Sequence, residues 1–457
     1  MIAPLANPTY RRLFTAQLTA LAGTGLSTVA LALLAYDLVG GDAGMVLGTA
    51  LALKMVAYVA IAPIVGGLAH RLPRRRLLIA LDIARAGFVA CLPFVTEIWQ
   101  IYVLIFLLNA CSAGFTPTFQ ATIPDVLPDE AQYTRALSLS RLAYDLENLL
   151  SPMLAAAALV VLTYDALFAA NAVAFLVSAL LVFSVRLPSP KPHERERGLW
   201  RNMSFGVRAY VATPRLRGLL ALSFAVAAAG AMVIVNSVVY VRDYLGGTES
   251  DTALAFAAAG AGSMVVALLL PRLLDRWSDR PFMLAGGLVL TIGLLLGLTG
   301  PGLLALLPVW FVLGAGSSLI QTPAGRLLRR SAHDGDRPAI YAAQFALSHA
   351  CWLIAYPLAG WVSGVFGLTV AFSALAFVAL TSTVAALILW PAHDPDELEH
   401  LHGTLEHDHL HVHEEHHQHD HEGWEGPEPH RHRHRHEPLK HKHPYRIDPH
   451  HLVWPAG

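Results

Sequence analysis

Apolar residues arrive in runs of about twenty along this chain, separated by short polar breaks, from residue 13 to residue 391. A run of that length crosses the hydrocarbon core of a bilayer as one α-helix. Twelve runs are delimited at 13–37, 44–69, 77–95, 99–123, 136–161, 165–185, 216–240, 251–274, 281–299, 303–326, 339–364 and 368–391. Where a run is interrupted, Gly, Ala, Ser and Thr dominate, as close helix packing in lipid permits. The pattern stops at residue 392, and 392–457 reads as a polar, low-complexity tail. Composition agrees. Of 457 residues 55% are hydrophobic and only 14% charged, against about 25% charged in ordinary soluble domains. Mean hydropathy is +0.49. The opening "MIAPLANPTYRRLF" shows no cleavable signal pattern.

Lys and Arg set the expected orientation. With the N-terminus inside, the inner segments hold 22 of the 32 basic residues and the outer loops hold one, Arg242. Such an asymmetry is a positive-inside signal. Both termini are then expected in the cytoplasm, with the protein in the inner (plasma) membrane.

The chain also repeats itself. "NPTYRRLF" at Asn7 matches "TPRLRGLL" at Thr213, Arg71 falls over Arg276, Pro117 over Pro323 and Pro152 over Pro357, always at an offset of 205 or 206. A parallel repeat of this kind is a secondary-transporter plan. The expected division is a six-helix half at 1–186, a cytoplasmic central loop at 187–215, a second six-helix half at 216–391 and the tail at 392–457. The central loop is expected to end in a short surface helix, with Trp200, Phe205 and Tyr210 dipping into the lipid interface.

Ionisable residues inside a bilayer are costly and mark pathways or partners. Lys54 falls in span two, Arg141, Asp145, Glu147 and Asn148 in span five, and His349 in span eleven. Arg141 and Asp145, four apart, suit an ion pair along one helix face. Such a pair, like Asp82 with Arg85, reads first as a structural pair and only second as a ligand. Lys54 either balances Glu147 or faces His349. Asn109, Asn236 and Gln321 read as helix–helix glue. Cys91, Cys111 and Cys351 are too scattered for a disulfide framework. With no Walker loop or other enzyme signature, ATP is excluded as the energy source. The proton gradient is the expected alternative, carried by Asp145, Glu147 or His349.

Between spans two and three stands "GGLAHRLPRRR", Gly66 to Arg76. Here the chain resembles the major facilitator superfamily, whose signature reads G-x-x-x-D-R-x-G-R-R. Gly66, Arg71, Arg74 and Arg75 fit it, whereas His70 replaces the Asp and Pro73 the second Gly. "LDIARA", with Asp82 and Arg85, and "FTPTFQATIPDVLP" resemble the branch holding enterobactin and drug exporters. The resemblance implies twelve helices in two pseudo-symmetric halves, with spans two and eleven, and five and eight, meeting across them. It also implies that the signature Asp helps latch the halves together. A histidine amid Arg71, Arg74, Arg75 and Arg76 is expected to be mostly neutral and to latch more weakly.

The tail adds different chemistry. "HDHLHVHEEHHQHDHE", from His407 to Glu422, is half histidine, and 392–425 carries eleven carboxylates and no Lys or Arg. Neutral imidazole is a ligand for nickel, cobalt, zinc and copper, with carboxylates adding oxygen donors. The candidate ligands are His400, His402, His407, His409, His411, His413, His416, His417, His419, His421, His430, His432, His434, His436, His441 and His443. The tail has no Cys or Met, which argues against a Cu(I) trap. Its composition predicts disorder without metal. A transporter with such a tail resembles the NreB/NrsD type of nickel-resistance exporter. The expectation is an all-α membrane protein that is not an enzyme and needs no cofactor. It exports Ni2+, or Co2+, against protons, with Zn2+ and Cu2+ as further tail ligands. The rivals are a drug or siderophore exporter with a metal-buffering tail and a non-transporting metal-storage or sensing protein. No nucleic-acid partner and no obligate oligomer are expected.

Overall fold

Helix starts are written locally. Asn7 accepts from the backbone N–H groups of Thr9 (2.9 Å) and Tyr10 (3.1 Å) and opens α1, Pro8–Val39. A capping box of Glu97 with Gln100 opens α4, Ile98–Val126, and Asp129 caps α5, Glu130–Leu159. Between them lie α2, Ala43–Leu68, and α3, Arg74–Cys91. α6 runs Tyr164–Phe183, followed by the short α7, Leu199–Ala212. α8 is Pro214–Val238 and continues as a π-turn at Val239–Tyr244. A second capping box, Thr248 with Asp251, opens α9, Glu249–Leu274. Then come α10, Asp279–Gly297, α11, Leu303–Arg330, α12, Arg337–Phe366, and α13, Leu368–Leu389. Gly367, at φ +85°, makes the reversal between α12 and α13, a backbone state that glycine enters without strain. The computed structural model describes residues 2–39, 43–68, 73–188, 199–395, 397–402, 405–411, 430–436, 439–447, 451 and 454–455. His70, Arg71, His413, His416, His417, His419 and His421 lie outside them.

Among the described residues, eleven helices are long and apolar enough to cross a membrane. The twelfth, α5, has the length at 30 residues but carries Arg141, Asp145 and Glu147 in its middle. The fold is thus the expected all-helical bundle. Each half repeats one packing plan: α1 on α5 and α6, α2 on α4, and α3 on α4 and α6, mirrored as α8 on α12 and α13, α9 on α11, and α10 on α11 and α13. The tightest approach is α9 against α11. A Cβ on Gly262 would stand 1.9 Å from the Phe311 carbonyl, and one on Gly314 1.8 Å from that of Ala259. Small residues let backbones meet where lipid supplies no hydrophobic drive. Across the halves, α2 packs on α12 and α5 on α9.

Two expectations change. α7 exists, but Phe205 and Tyr210 are buried against protein rather than lipid. Gly206 is the reason: its missing Cβ lets α7 settle on the Ala339 carbonyl of α12, 2.2 Å from where a Cβ would stand. The tail, expected to be without regular structure, holds strands. β1, Glu397–His402, pairs antiparallel with β4, Leu439–Pro444, and β2, Leu405–His411, with β3, His430–His436. In the backbone register Glu399 pairs with Lys442, Glu406 with Arg435 and Asp408 with Arg433. His-x-His has the period of a strand, and His407, His409 and His411 are the backbone partners of His434, His432 and His430.

Candidate transport site and gate

The two halves are pinned together at their arginine-rich end. Arg74, at the start of α3, binds the Asp125 carboxylate at the end of α4. The other oxygen of Asp125 binds Arg337, the first residue of α12 in the opposite half. Arg337 also pairs with Asp334 at 2.6 Å, and Arg74 donates to the Asp334 carbonyl at 3.0 Å. Asp125 thus bridges the halves with both partners buried. The signature position at His70 is outside the described residues; in this neighbourhood the charge that bridges the halves is an acid from α4. Gly66 lets α2 approach α12 there, since a Cβ would lie 2.4 Å from Ala342 Cβ. Arg75 serves its own half, donating to the Phe183 carbonyl with its guanidinium 4.6 Å from the Phe183 ring.

The repeat supplies a second latch. Arg326 of α11 pairs with Asp279 of its own half at 2.8 Å and reaches Glu130 (2.7 Å) and Thr134 (2.8 Å) at the start of α5. Between the latches, Tyr133 of α5 and Tyr341 of α12 join hydroxyl to hydroxyl at 2.7 Å. Both oxygens also lie within hydrogen-bond distance of the Gly325 carbonyl, at 3.2 and 3.1 Å, so with one proton each, one phenol donates to the other and the second donates to Gly325. Both phenols are fully buried, so this end is shut.

Deeper in the bundle lie the charges within the spans. Arg141 pairs with Asp145 at 2.7 Å. Arg141 also donates to Ser263 of α9 (2.9 Å) and Gln321 of α11 (2.8 Å), and the Ser263 hydroxyl donates to Asp145 at 2.6 Å. An ion pair of the first half is therefore hydrogen-bonded into the second. On the α2–α12 side, Lys54 sits with its Nζ 5.7 Å from the Tyr58 ring centre. Tyr58 packs edge-on against His349 (4.7 Å) and Phe345 (4.9 Å) of α12. Lys54 is the charged neighbour of both His349 and Glu147, so the two readings of Lys54 meet at one place. His349 Nδ1 is 2.7 Å from the Phe345 carbonyl. Glu147 packs toward α1, where a Cβ on Gly25 would stand 3.1 Å from its Oε1, and Asn148 is exposed.

Phe345, His349, Trp352 and Tyr356 stand four, three and four residues apart, which places them in one stripe along α12. That spacing was available in the sequence, and the aromatic members were missed because only ionisable groups were sought there. Asp82 and Arg85 stay outside the site. They pair within the first half, Ser178 donates to Asp82 at 2.8 Å, and the Arg85 guanidinium lies between Phe115 (4.0 Å) and Phe175 (4.4 Å). Among the described residues no group of three or more His, Cys, Asp or Glu is placed to hold a metal ion.

A two-fold bundle of this kind, gated by charges at one end and polar at mid-depth, defines a secondary-transporter architecture. The family model described as Major Facilitator Superfamily matches residues 13–233 and 219–407, and the chain belongs to that family of transporters. Among curated proteins it is similar to the uncharacterized MFS-type transporter YfiS of Bacillus subtilis, 29% identical over 125 residues, 27% of this chain and 30% of that one. It is also similar to macrolide efflux protein A of Streptococcus pyogenes, 29% identical over 149 residues, 32% of this chain and 36% of that one. The matched stretches thus span about a third of these relatives' own length. Among solved structures, the human organic anion transporter MFSD10 aligns with a TM-score of 0.72 at 13% identity, covering 83% of this chain and 98% of the other. The Escherichia coli fucose:proton symporter FucP aligns at 0.65 and 14% identity, covering 84% and 98%. At these identities the likeness is one of fold.

Proposed function

We propose that the protein is a proton-coupled exporter of carbon-rich organic solutes in the inner membrane, with both termini cytoplasmic. The observation that carries this is the aromatic stretch of α12 beside Tyr58: the Phe345 and His349 ring centres lie 4.2 Å apart, with the Lys54 ammonium 5.7 Å from the Tyr58 ring. Aromatic faces contact organic solutes and cations through area and quadrupole, which a hydrated dication does not use. The similarity to macrolide efflux protein A points the same way. Asp145 and Glu147 are the proposed proton carriers, because each is a carboxylate with one cationic partner, Arg141 or Lys54. Protonation of either frees that partner and loosens a contact to the other half.

The second reading is a divalent-metal exporter of the nickel-resistance type, nickel first and cobalt second. The observation favouring it is the tail register, which pairs three histidines of one strand with three of its partner strand. A non-transporting storage or sensing protein is the third. Growth of expressing cells on macrolides, other drugs, nickel, cobalt and zinc separates them, with Tyr58→Ala as the control. The organic-solute reading expects drug tolerance that Tyr58→Ala abolishes and metal tolerance that it leaves alone. Metal tolerance without drug tolerance overturns it, and proton flux absent with every solute supports the third.

A further inference from the structure

The end of the chain returns to the transporter body. Tyr445 and Ile447 are buried in the core of the second half, and Tyr445 packs edge-on against His451 (4.6 Å) and Trp454 (5.1 Å). The Trp454 ring lies 5.0 Å from the guanidinium of Arg215, at the start of α8. Arg215, only 1% exposed, pairs with Asp394 at 2.9 Å. Asp394 is the residue where the chain leaves for the tail, held also by Arg330 and by Trp390 Nε1 at 3.0 Å. Asp394 and Trp454 therefore meet at Arg215, and the described strands lie between these two anchors along the chain. Arg446 reaches His333 Nδ1 at 3.3 Å. His333 lies on the 331–336 connection between α11 and α12, beside Asp334, whose carbonyl holds Arg74 and whose carboxylate holds Arg337.

We infer that Tyr445, Arg446, Ile447, His451 and Trp454 form an intramolecular clamp that holds the 331–336 connection in the form the Arg74–Asp125–Arg337 latch requires. The reason is entropic. A free connection must be ordered each time the latch closes, and backbone ordering is costly. A connection already fixed from the second half bears that cost beforehand. The clamp touches only the second half among the contacts described, so it can persist while the halves rock. Its effect is on the ease of closing, whatever the solute.

The test uses a single cysteine, Ser138→Cys, in full-length protein lacking Cys91, Cys111 and Cys351. Ser138 is fully buried, one turn along α5 from Thr134 of the second latch. A membrane-impermeant maleimide is presented to the arginine-rich face of oriented vesicles. A stop after Pro444, which keeps the ladders, and the single variants Trp454→Ala and Arg446→Ala should each label several-fold faster. A synthetic peptide of residues 445–457 added to the shortened protein should restore slow labelling. Parental labelling in all three variants overturns the inference. So does fast labelling of the shortened protein alone, with no rescue by peptide and parental rates in both single variants. If the shortened protein does not reach the membrane, the two single variants decide.

Discussion

Asp125→Asn removes the one carboxylate that bridges the halves through two arginines. Side-chain exposures are 4% for Arg74, 4% for Asp125 and 7% for Arg337. Removing one partner from a buried ionic cluster costs about 3–5 kcal/mol, because the charges left behind are unmatched. Asp334 keeps its 2.6 Å pair with Arg337 and its carbonyl keeps Arg74, so the lower end, about 3 kcal/mol, is expected. The cost falls on the closed gate alone, since opening this end hydrates both guanidinium groups. At about 1.4 kcal/mol per tenfold, the closed-to-open ratio should drop roughly 150-fold. The Ser138→Cys probe reads it as faster labelling from the arginine-rich face, and transport should slow because the return to the closed state is less favourable. Glu130→Gln is the internal comparison. Glu130 is 64% exposed, and loss of such a pair is worth less than about 1 kcal/mol. If Asp125→Asn labels no faster than Glu130→Gln, the bridge does not hold the gate.

Further outcomes are expected. Gly262→Ala and Gly314→Ala push a methyl into facing backbone carbonyls and should each lower the melting temperature of detergent-purified protein through a cost of about 1–3 kcal/mol or more; unchanged melting in both contradicts the packing. Glu147→Gln and Asp145→Asn keep shape and remove a proton site, so solute-driven proton movement should vanish while membrane levels hold; normal coupling in both singles and the double eliminates this pair. A stop just before Asp394 strips Arg215 and Arg330 of their shared carboxylate and should destabilise the second half more than a stop after Pro395, as read by thermal melts; equal melts would disconnect Asp394 from the fold.

The spans were legible because bilayer thickness imposes one length on every crossing helix, and the 205-residue offset announced the mirrored packing. The gate was legible only in part. Arg74 belongs to a family pattern, but nothing in "FTPTFQATIPDVLP" marks a partner for Asp125, and Arg337 is one more basic residue of the inner segments. Their meeting depends on how two halves dock, which no local pattern records. In the tail, composition argued for disorder, while two local signals argued otherwise: the period-two histidines, and an acidic arm at 397–408 facing a basic arm at 431–442. For α7, the aromatic residues suggested lipid, whereas Gly206 on Ala339 turns Phe205 and Tyr210 to protein.

A membrane that stores energy as a proton gradient has to be insulated, and a polar gate is a poor insulator if protons can hop along it. Hopping needs a chain in which every oxygen both receives and passes on a proton. At Tyr133 and Tyr341 one hydroxyl donates to the other and the second donates to the Gly325 carbonyl, an acceptor with no proton to pass on. The hydrogen-bonded chain ends there. The tyrosine pair therefore leaves the gate polar enough to part easily, yet makes its centre electrically dead while it is shut.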